Sequence, residues 1–454
     1  MSAARDMDAL VIGAGIAGLA AAREFERRGR SVLLVEAQDR PGGVMRSDRV
    51  GDYLVERGPN SFQLKAPMRR ALEAWGVNDA CVRAAPASRE RFLVRDGELL
   101  PVPLSPLALV RSPLLSAGAK LRLLREPFVR RGDGASESVA EFVERRLGSE
   151  TLRNLVGPFL TGVYAGDEAQ LGAGPVFPAL VEAERKWGSL GVGLVASALA
   201  TKAEDKASPG TFSHLRGLGA FAAELAGGLR SAVRLSTRVV SIEGAGDGFD
   251  VGLSNGDTAE VVRAGCVVVA TPAHAAAKLV RRLDADAADW LGSVVYAPLA
   301  TLAFGAKRGS FGVDPRGFGF LVPRGEDPGL LGCLFMSELF EGRAPEGHQL
   351  LHCMLGGVRA PEYLDLADDQ LETRALDSLG SMLSGVRSEP TRLRVNRWPH
   401  AVAQPARGHR SALRSVRTAL AARGRLALAG GYTDGVSVAD SFASGAAAAA
   451  ELDV

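Results

Sequence analysis

The sequence predicts an α/β protein: a parallel sheet that gathers both ends of the chain, a second unit of mixed β-strands, and a helical insertion between them. Three observations carry this. A strand–glycine turn–helix–strand unit opens the chain, prolines, arginines and helical apolar spacing take over from about 86 to 204, and a strand–glycine–helix unit closes it at 426–445. With 454 residues the chain is too long for one ordinary hydrophobic core. Its 46% hydrophobic and 23% charged residues fit a folded protein, neither long disorder nor a polytopic membrane protein. A net charge of +2, from 54 basic and 52 acidic residues, gives no global electrostatic case for a nucleic-acid partner. Cys81, Cys266, Cys333 and Cys353 lie far apart with no CxxC, so neither a disulfide framework nor a metal site is indicated, and a reducing, cytoplasmic setting is expected. No signal peptide is read, and no run approaches the roughly 20 apolar residues that span a bilayer.

Taken in order, Asp8–Ile12 is a short apolar run of buried-strand length, and Gly13-Ala14-Gly15-Ile16-Ala17-Gly18 follows it. The next residues, LAAAREFERRG, alternate apolar and charged positions at helical spacing, with Gly29 as C-cap. Ser31–Val35 is the second strand and ends on Glu36, eighteen residues beyond Gly18. Such a βαβ opening calls for a parallel, Rossmann-like sheet. Ser112-Pro113 reads as N-cap and N1 of a helix that Pro127 stops at Glu126, with Leu114, Ala117, Leu121 and Leu124 on one face. Strand texture returns at 232–253, Cys266–Ala270 is a buried run ending in Thr271-Pro272, and several strands are expected between 299 and 357. Within them LLHCMLGG reads as a strand, which separates His348 from His352 by roughly 13 Å and argues against a shared metal ion. Leu426–Ala429, Gly430-Gly431 and a helix from about Val438 end the chain.

The glycine turn carries the first chemistry. Gly13 allows the tight turn, Gly15 lets a pyrophosphate approach the backbone, and Gly18 lets helix and strand pack closely. The helix N-terminus faces the phosphate charge, and the Glu36 carboxylate accepts from ribose hydroxyls. A second glycine turn, Ala37-Gln-Asp-Arg40-Pro-Gly42-Gly43-Val44, lies directly after Glu36 and adds backbone N–H groups near the cofactor. Wrapping by both chain ends suits a long, extended FAD. Gly217-x-Gly219-x-x-Ala222 follows a polar segment rather than an apolar strand, so it is read as opening a helix and not as a second nucleotide site.

The pattern resembles the glutathione-reductase-type FAD superfamily and, within it, the protoporphyrinogen/coproporphyrinogen oxidase branch of the flavin amine oxidases. The resemblance rests on Gly58-Pro59-Asn60-Ser61-Phe62, Gly162-Val-Tyr-Ala-Gly-Asp167, Arg397-Trp398-Pro399 and Gly435-Val436-Ser437-Val438, in the family's order along the chain. It implies FAD as cofactor, held by Gly13 to Gly18, Glu36, Ala37, Arg40, Gly42, Gly43, Val44, Gly58 to Ser61, Val239, Trp398, Gly430 and Val436 to Val438. It also implies oxidation of protoporphyrinogen to protoporphyrin in three two-electron steps, with molecular oxygen reoxidising the flavin. Asn60, Arg91, Gly162, Leu321 and Phe340 are the implied substrate residues, Arg91 pairing with a propionate and Leu321 and Phe340 sandwiching the macrocycle. No catalytic dyad stands out, because the flavin supplies the chemistry and the protein supplies orientation and a dry pocket.

The expected organisation is an FAD-binding domain from 1–85, 206–285 and 405–454, a helical domain at 86–205 with part of the substrate site, and a substrate-binding domain at 286–404. From Leu104 to Arg131 there are six basic residues (Arg111, Lys120, Arg122, Arg125, Arg130, Arg131) and one acid, Glu126, which fits docking on the inner face of a cell membrane. A homodimer is left open. Three alternatives stand beside the first: a coproporphyrinogen oxidase with more cations for four propionates, a flavin amine oxidase with a lysine near the flavin, and a binding module on the same fold.

Overall fold

The computed structural model describes residues 6–452 except 78, 201–209 and 328. Strands β1 (Asp6–Ile12) and β2 (Val32–Val35) flank the helix Ile16–Arg27. There follow the hairpin β3 (Ser47–Val50) and β4 (Tyr53–Glu56), the short strands β5 (Phe62–Gln63) and β6 (Cys81–Arg83), and a second hairpin, β7 (Phe92–Arg95) and β8 (Glu98–Pro101). After a helical stretch come β9 (Thr211–His214), β10 (Val233–Arg234), β11 (Arg238–Ala245), β12 (Gly248–Ser254) and β13 (Ala259–Val269). The remaining strands are β14 (Tyr296–Lys307), β15 (Gly319–Leu321), β16 (Leu330–Phe335), β17 (His348–Gly356), β18 (Thr391–Ala403) and β19 (Leu426–Leu428).

The first sheet runs β10-β2-β1-β13-β12-β11, with β19 also on β13. From Ala9 to Ile12 strand β1 is apolar on both faces, and it pairs in parallel with β2 and β13, as a strand covered on both sides should. One face packs on the helices Ile16–Arg27, Leu218–Gly227 and Val438–Leu452, the other on Ala273–Val280, Ala285–Ser293 and His409–Ala421. The long β13 serves two roles: 259–264 pair antiparallel with β12, and 267–269 pair in parallel with β19, so the chain's end joins its beginning.

The second sheet runs β18-β14-β17-β16-β15-β7-β8. Its outer face, with Leu302, Phe304, Phe320, Cys333, Leu351 and Cys353, is covered by Leu371, Ala375 and Leu379 of the helix Asp368–Met382. The inner face looks back at the first unit.

Two local expectations are corrected. Residues 92–101, read as part of a helical segment, form a hairpin that completes the second sheet, β7 running parallel to β15. The reason is the Asp96-Gly97 turn, both residues at positive φ (53° and 77°), which matches the twist of a tight hairpin. The helix expected from Ser112 to Glu126 is two helices, Pro106–Arg111 and Ala117–Leu124, and Ser112 ends the first. Ser112 Oγ accepts from Leu114 N–H in a local turn while Leu114 and Leu115 drop into the core, and Ser116, held by Glu150, becomes the working cap. Leu121 and Leu124 therefore face outward without Leu114. Among the described residues no helix is long and apolar enough to cross a membrane.

Candidate cofactor and substrate site

The first glycine turn sits at the carboxyl ends of β1, β2 and β13, where a doubly wound sheet offers a crevice. Gly13 takes φ +98° and donates to Val35 C=O at 2.7 Å. A Cβ on Gly18 would overlap Gly13 O, so close packing of helix on strand requires glycine there; a Cβ on Gly15 would meet nothing within 4 Å, so that position faces open space. No side chain caps the helix that begins at Ile16, and its first turn holds no acid, leaving the Ile16-Ala17-Gly18 end as a donor surface with partial positive charge. The buried Glu36 carboxylate accepts from Ala14 N–H at 2.7 Å and Gln38 N–H at 2.9 Å, beside Ala37. Residues 234–237 run along it, Thr237 N–H donating to Glu36 C=O at 2.9 Å, and lead into Val239, whose side chain is in the core of the sheet.

The second turn stacks on the first. Gly42 N–H donates to Ala14 C=O at 2.7 Å, and a Cβ on Gly43 would lie 3.4 Å from Gly15 Cα. The Arg40 guanidinium is spent on this turn, donating to Pro41, Gly43 and Met45 carbonyls, so it braces the loop. Val44 is exposed, and its carbonyl would collide with any Cβ on Gly58. Downstream of Gly58 and Pro59, Asn60 C=O accepts from Ser213, Asn60 Oδ1 is buried without a partner among the described residues, and Ser61 precedes the buried Phe62. At the other end of the chain Gly430 N–H donates to Ser444 Oγ at 2.9 Å, and Val436 packs on both the first sheet and the helical unit. The last helix starts at Val438, as the sequence pattern predicts. Ser437 accepts from Asp440 N–H at 3.1 Å and donates to the Asp440 carboxylate, so an acid already sits in its first turn. A Cβ on Gly445 would overlap Ala17 O, which is how closely the last helix lies on the first. The donor set, the uncapped helix and the open Gly15 fit a pyrophosphate-bearing dinucleotide.

The inner face of the second sheet forms the opposite wall. Register places Leu93, Leu321, Gly332, Met354, Thr301 and Asn396 in one row across β7, β15, β16, β17, β14 and β18. The wall is tied to the first unit by Arg57, whose Nε donates to Asn396 Oδ1 at 2.8 Å, while Trp398 Nε1 donates to Arg57 C=O at 2.9 Å. The Arg46 guanidinium lies 5.9 Å from the Trp398 ring. Leu321 meets Gly162, where an added Cβ would lie 2.5 Å from Leu321 Cδ2. Arg91 leads into β7 with its guanidinium 4.5 Å from the Phe318 ring, and burial among neighbours lowers its pKa although the residue as a whole is exposed. Among the described residues no carboxylate pairs with it. Phe340 is enclosed in a small cluster with Val55, Ala303 and Leu350, under the Arg343 guanidinium at 5.5 Å. The structure thus joins Arg91, Leu321 and Gly162 along one wall and packs Phe340 on the same inner face of the sheet, against Ala303 and Leu350. Asp167, at the end of the helix Gly157–Tyr164, faces Arg359 at 3.7 Å, and Glu168 pairs with the same arginine, clamping that helix to the end of β17.

Sequence reading missed several residues. Thr271 Oγ1 and Tyr432 Oη are buried near the glycine turns without partners among the described residues, and Met354, Thr301 and Asn396 emerge only from strand register. The alternation of LLHCMLGG was visible, yet nothing in it told which face would look inward.

Comparison with known proteins follows this geometry. The family described as flavin containing amine oxidoreductase matches residues 16–453. The chloroplastic protoporphyrinogen oxidase of Nicotiana tabacum is 31% identical, covering 96% of this chain and 83% of that protein. The coproporphyrinogen III oxidase of Bacillus subtilis is 28% identical, covering 97% of each. A crystal structure from Exiguobacterium sp. 255-15 shares the fold with a TM-score of 0.81 at 23% identity, covering 99% of both chains.

Proposed function

The chain belongs to the flavin containing amine oxidoreductase family, and from that premise we propose that it is an FAD-dependent oxidoreductase converting protoporphyrinogen IX to protoporphyrin IX in tetrapyrrole biosynthesis, with oxygen as acceptor. The two glycine turns, Glu36 and the 430–438 loop would hold the FAD, in a sheet of the glutathione-reductase type. Bound flavin supplies two-electron oxidation of the substrate three times over and passes the electrons to oxygen. The protein's own residues bind and orient the macrocycle and keep water away from it. We divide the chain accordingly: 1–85, 206–285 and 405–454 around the cofactor, 286–404 with the hairpin 92–101 around the substrate, and the rest of 86–205 as the helical unit.

The observation that carries the substrate is Arg91. An arginine without an ion-pair partner among the described residues, at one end of a largely apolar wall, suits a greasy ring with carboxylate arms, because guanidinium and carboxylate pair through two parallel hydrogen bonds. A coproporphyrinogen substrate is the second reading. It is favoured by Arg89 and Arg316, both exposed and without a carboxylate partner among the described residues; the 316–318 segment runs beside 90–92, Phe318 N–H donating to Glu90 C=O at 2.8 Å. The amine oxidase alternative is weaker, since Lys307 ends β14 eight residues from Leu299, the partner of Trp398, a distance of roughly 26 Å along a strand. Steady-state oxidation of both porphyrinogens by the purified holoenzyme tests the choice. A higher kcat/KM for protoporphyrinogen supports the first reading, and a higher value for the tetracarboxylate transfers the assignment to the second.

A membrane surface is the partner we propose for the helical unit, in the cytoplasm. Leu104, Leu107, Val110, Leu121, Leu124 (74% exposed) and Phe128 (89% exposed) project from it, beside Arg111, Arg125, Arg130 and Arg131, which have no carboxylate partners among the described residues. Apolar groups on that face would enter the acyl boundary while the cations meet anionic headgroups.

A further inference from the structure

We infer that His352 determines specificity for the reduced macrocycle, its Nε2 accepting a hydrogen bond from a pyrrole N–H. This rests on the functional reading above and deepens it. His352 lies in the middle of β17 and is 2% exposed, yet its Nε2 has no hydrogen-bond partner among the described residues. Its neighbours in register are Leu334 on β16 and Ala303 on β14, neither of which has a side-chain polar atom. A buried polar atom left unpaired is costly, and a leucine would pack there without that penalty. An imidazole at such a place is explained by a partner that arrives with a ligand.

Strand alternation says from which side the ligand comes. Leu351 and Cys353, on either side of His352, belong to the outer core under the helix Asp368–Met382, so His352 faces inward with Leu350 and Met354. Its row across the sheet is Ala303, His352, Leu334 and Gly319, and Arg91, which precedes Phe92, lies beside Gly319 at the row's far end. Three interstrand steps separate Arg91 from His352, roughly 14 Å between backbones. A tetrapyrrole whose carboxylate arm meets Arg91 therefore extends its ring over Gly319 and Leu334 toward the imidazole.

The chemistry of the two oxidation states gives the contact a direction. A porphyrinogen carries four pyrrole N–H donors, whereas the fully oxidised porphyrin keeps two. Burial holds the imidazole neutral at neutral pH, with its pKa down to about 4, so one ring nitrogen is free to accept. Asn60 Oδ1, a buried oxygen without a hydrogen-bond partner among the described residues, is likewise an acceptor. Acceptors that met the ring nitrogens would favour the substrate over the product.

The test uses the full-length holoenzyme and its His352→Leu and His352→Gln variants, matched for flavin content, with steady-state kinetics, porphyrin product inhibition and thermal melting. Leucine is expected to raise KM for the porphyrinogen about fivefold to tenfold, with kcat within twofold, the product inhibition constant changing less than KM, and Tm equal to or above that of the parent. Glutamine, whose amide oxygen reaches near the Nε2 position, is expected to recover most of the loss. The inference is overturned if leucine leaves KM unchanged, or if both variants lose affinity together with Tm, which marks a packing role. Parent enzyme that oxidises neither porphyrinogen defeats the functional reading itself.

Discussion

At the scale of single residues, the proposed site is a set of groups left without partners among the described residues. Arg91 is the clearest. Replacing it by alanine should raise KM for the dicarboxylate substrate by about tenfold to a hundredfold, the loss of a charge-assisted hydrogen bond of roughly 1.5–3 kcal/mol, while flavin content stays unchanged; unaltered kinetics would remove Arg91 from the site. His352 also makes a prediction about pH. Its pKa falls from 6.5 to about 4 on burial, so the unfolded chain binds the proton more readily. Stability is then fully present above pH 6.5 and is lost as pH falls toward 4, by about 2 kcal/mol at pH 5. Melting curves at pH 7 and pH 5 should show a smaller drop for His352→Leu than for the parent; equal drops would mean that this imidazole does not titrate with unfolding. Gly13 and Gly18 were legible because a positive-φ turn and a close helix–strand contact demand glycine, and Gly15 and Glu36 because a phosphate needs an open backbone and a ribose needs an acceptor. His352 was visible as a strand residue, but its role depends on which face turns inward, and that is decided by a helix contributed by 368–382.

At the scale of elements, glycine placement sets how closely parts approach. The last helix lies against the first through Gly445, where any Cβ would overlap the backbone oxygen of Ala17, and backbone cannot move aside cheaply. Gly445→Ala should push the two helices apart and lower both Tm and the flavin retained through purification; normal Tm with full flavin content would show that the contact has slack. The elements easiest to read were those whose signal is local, such as the opening βαβ unit and the strand–glycine–helix at the end. The hairpin 92–101 shows the converse. Its Asp96-Gly97 turn is a local hairpin signal, but it sits among prolines and arginines of helical texture, and its sheet partner β15 lies more than 200 residues downstream. The helix start at Ser116 was missed because Ser112-Pro113 offers the same capping chemistry, and only the contact with Glu150 settles between them.

At the scale of the whole molecule, both chain ends meet on β13, and a long inner wall of the second sheet faces them. The helical unit carries an apolar and cationic surface, and the same unit supplies Gly162 to the wall, so a poorly soluble product would have a short path to a bilayer. Flotation with vesicles containing anionic lipid should recover the protein at low salt, and replacing Leu124 and Phe128 by serine should abolish recovery without changing turnover of detergent-solubilised substrate; flotation that survives both substitutions would place the contact elsewhere. The central claim is that the paired glycine turns hold a flavin that oxidises a porphyrinogen. It is tested most directly by mixing the flavin-loaded protein anaerobically with protoporphyrinogen and following the visible flavin band, then admitting air. The account predicts bleaching on mixing and porphyrin fluorescence as oxygen enters; a flavin band that stays unchanged in the presence of porphyrinogen would contradict it.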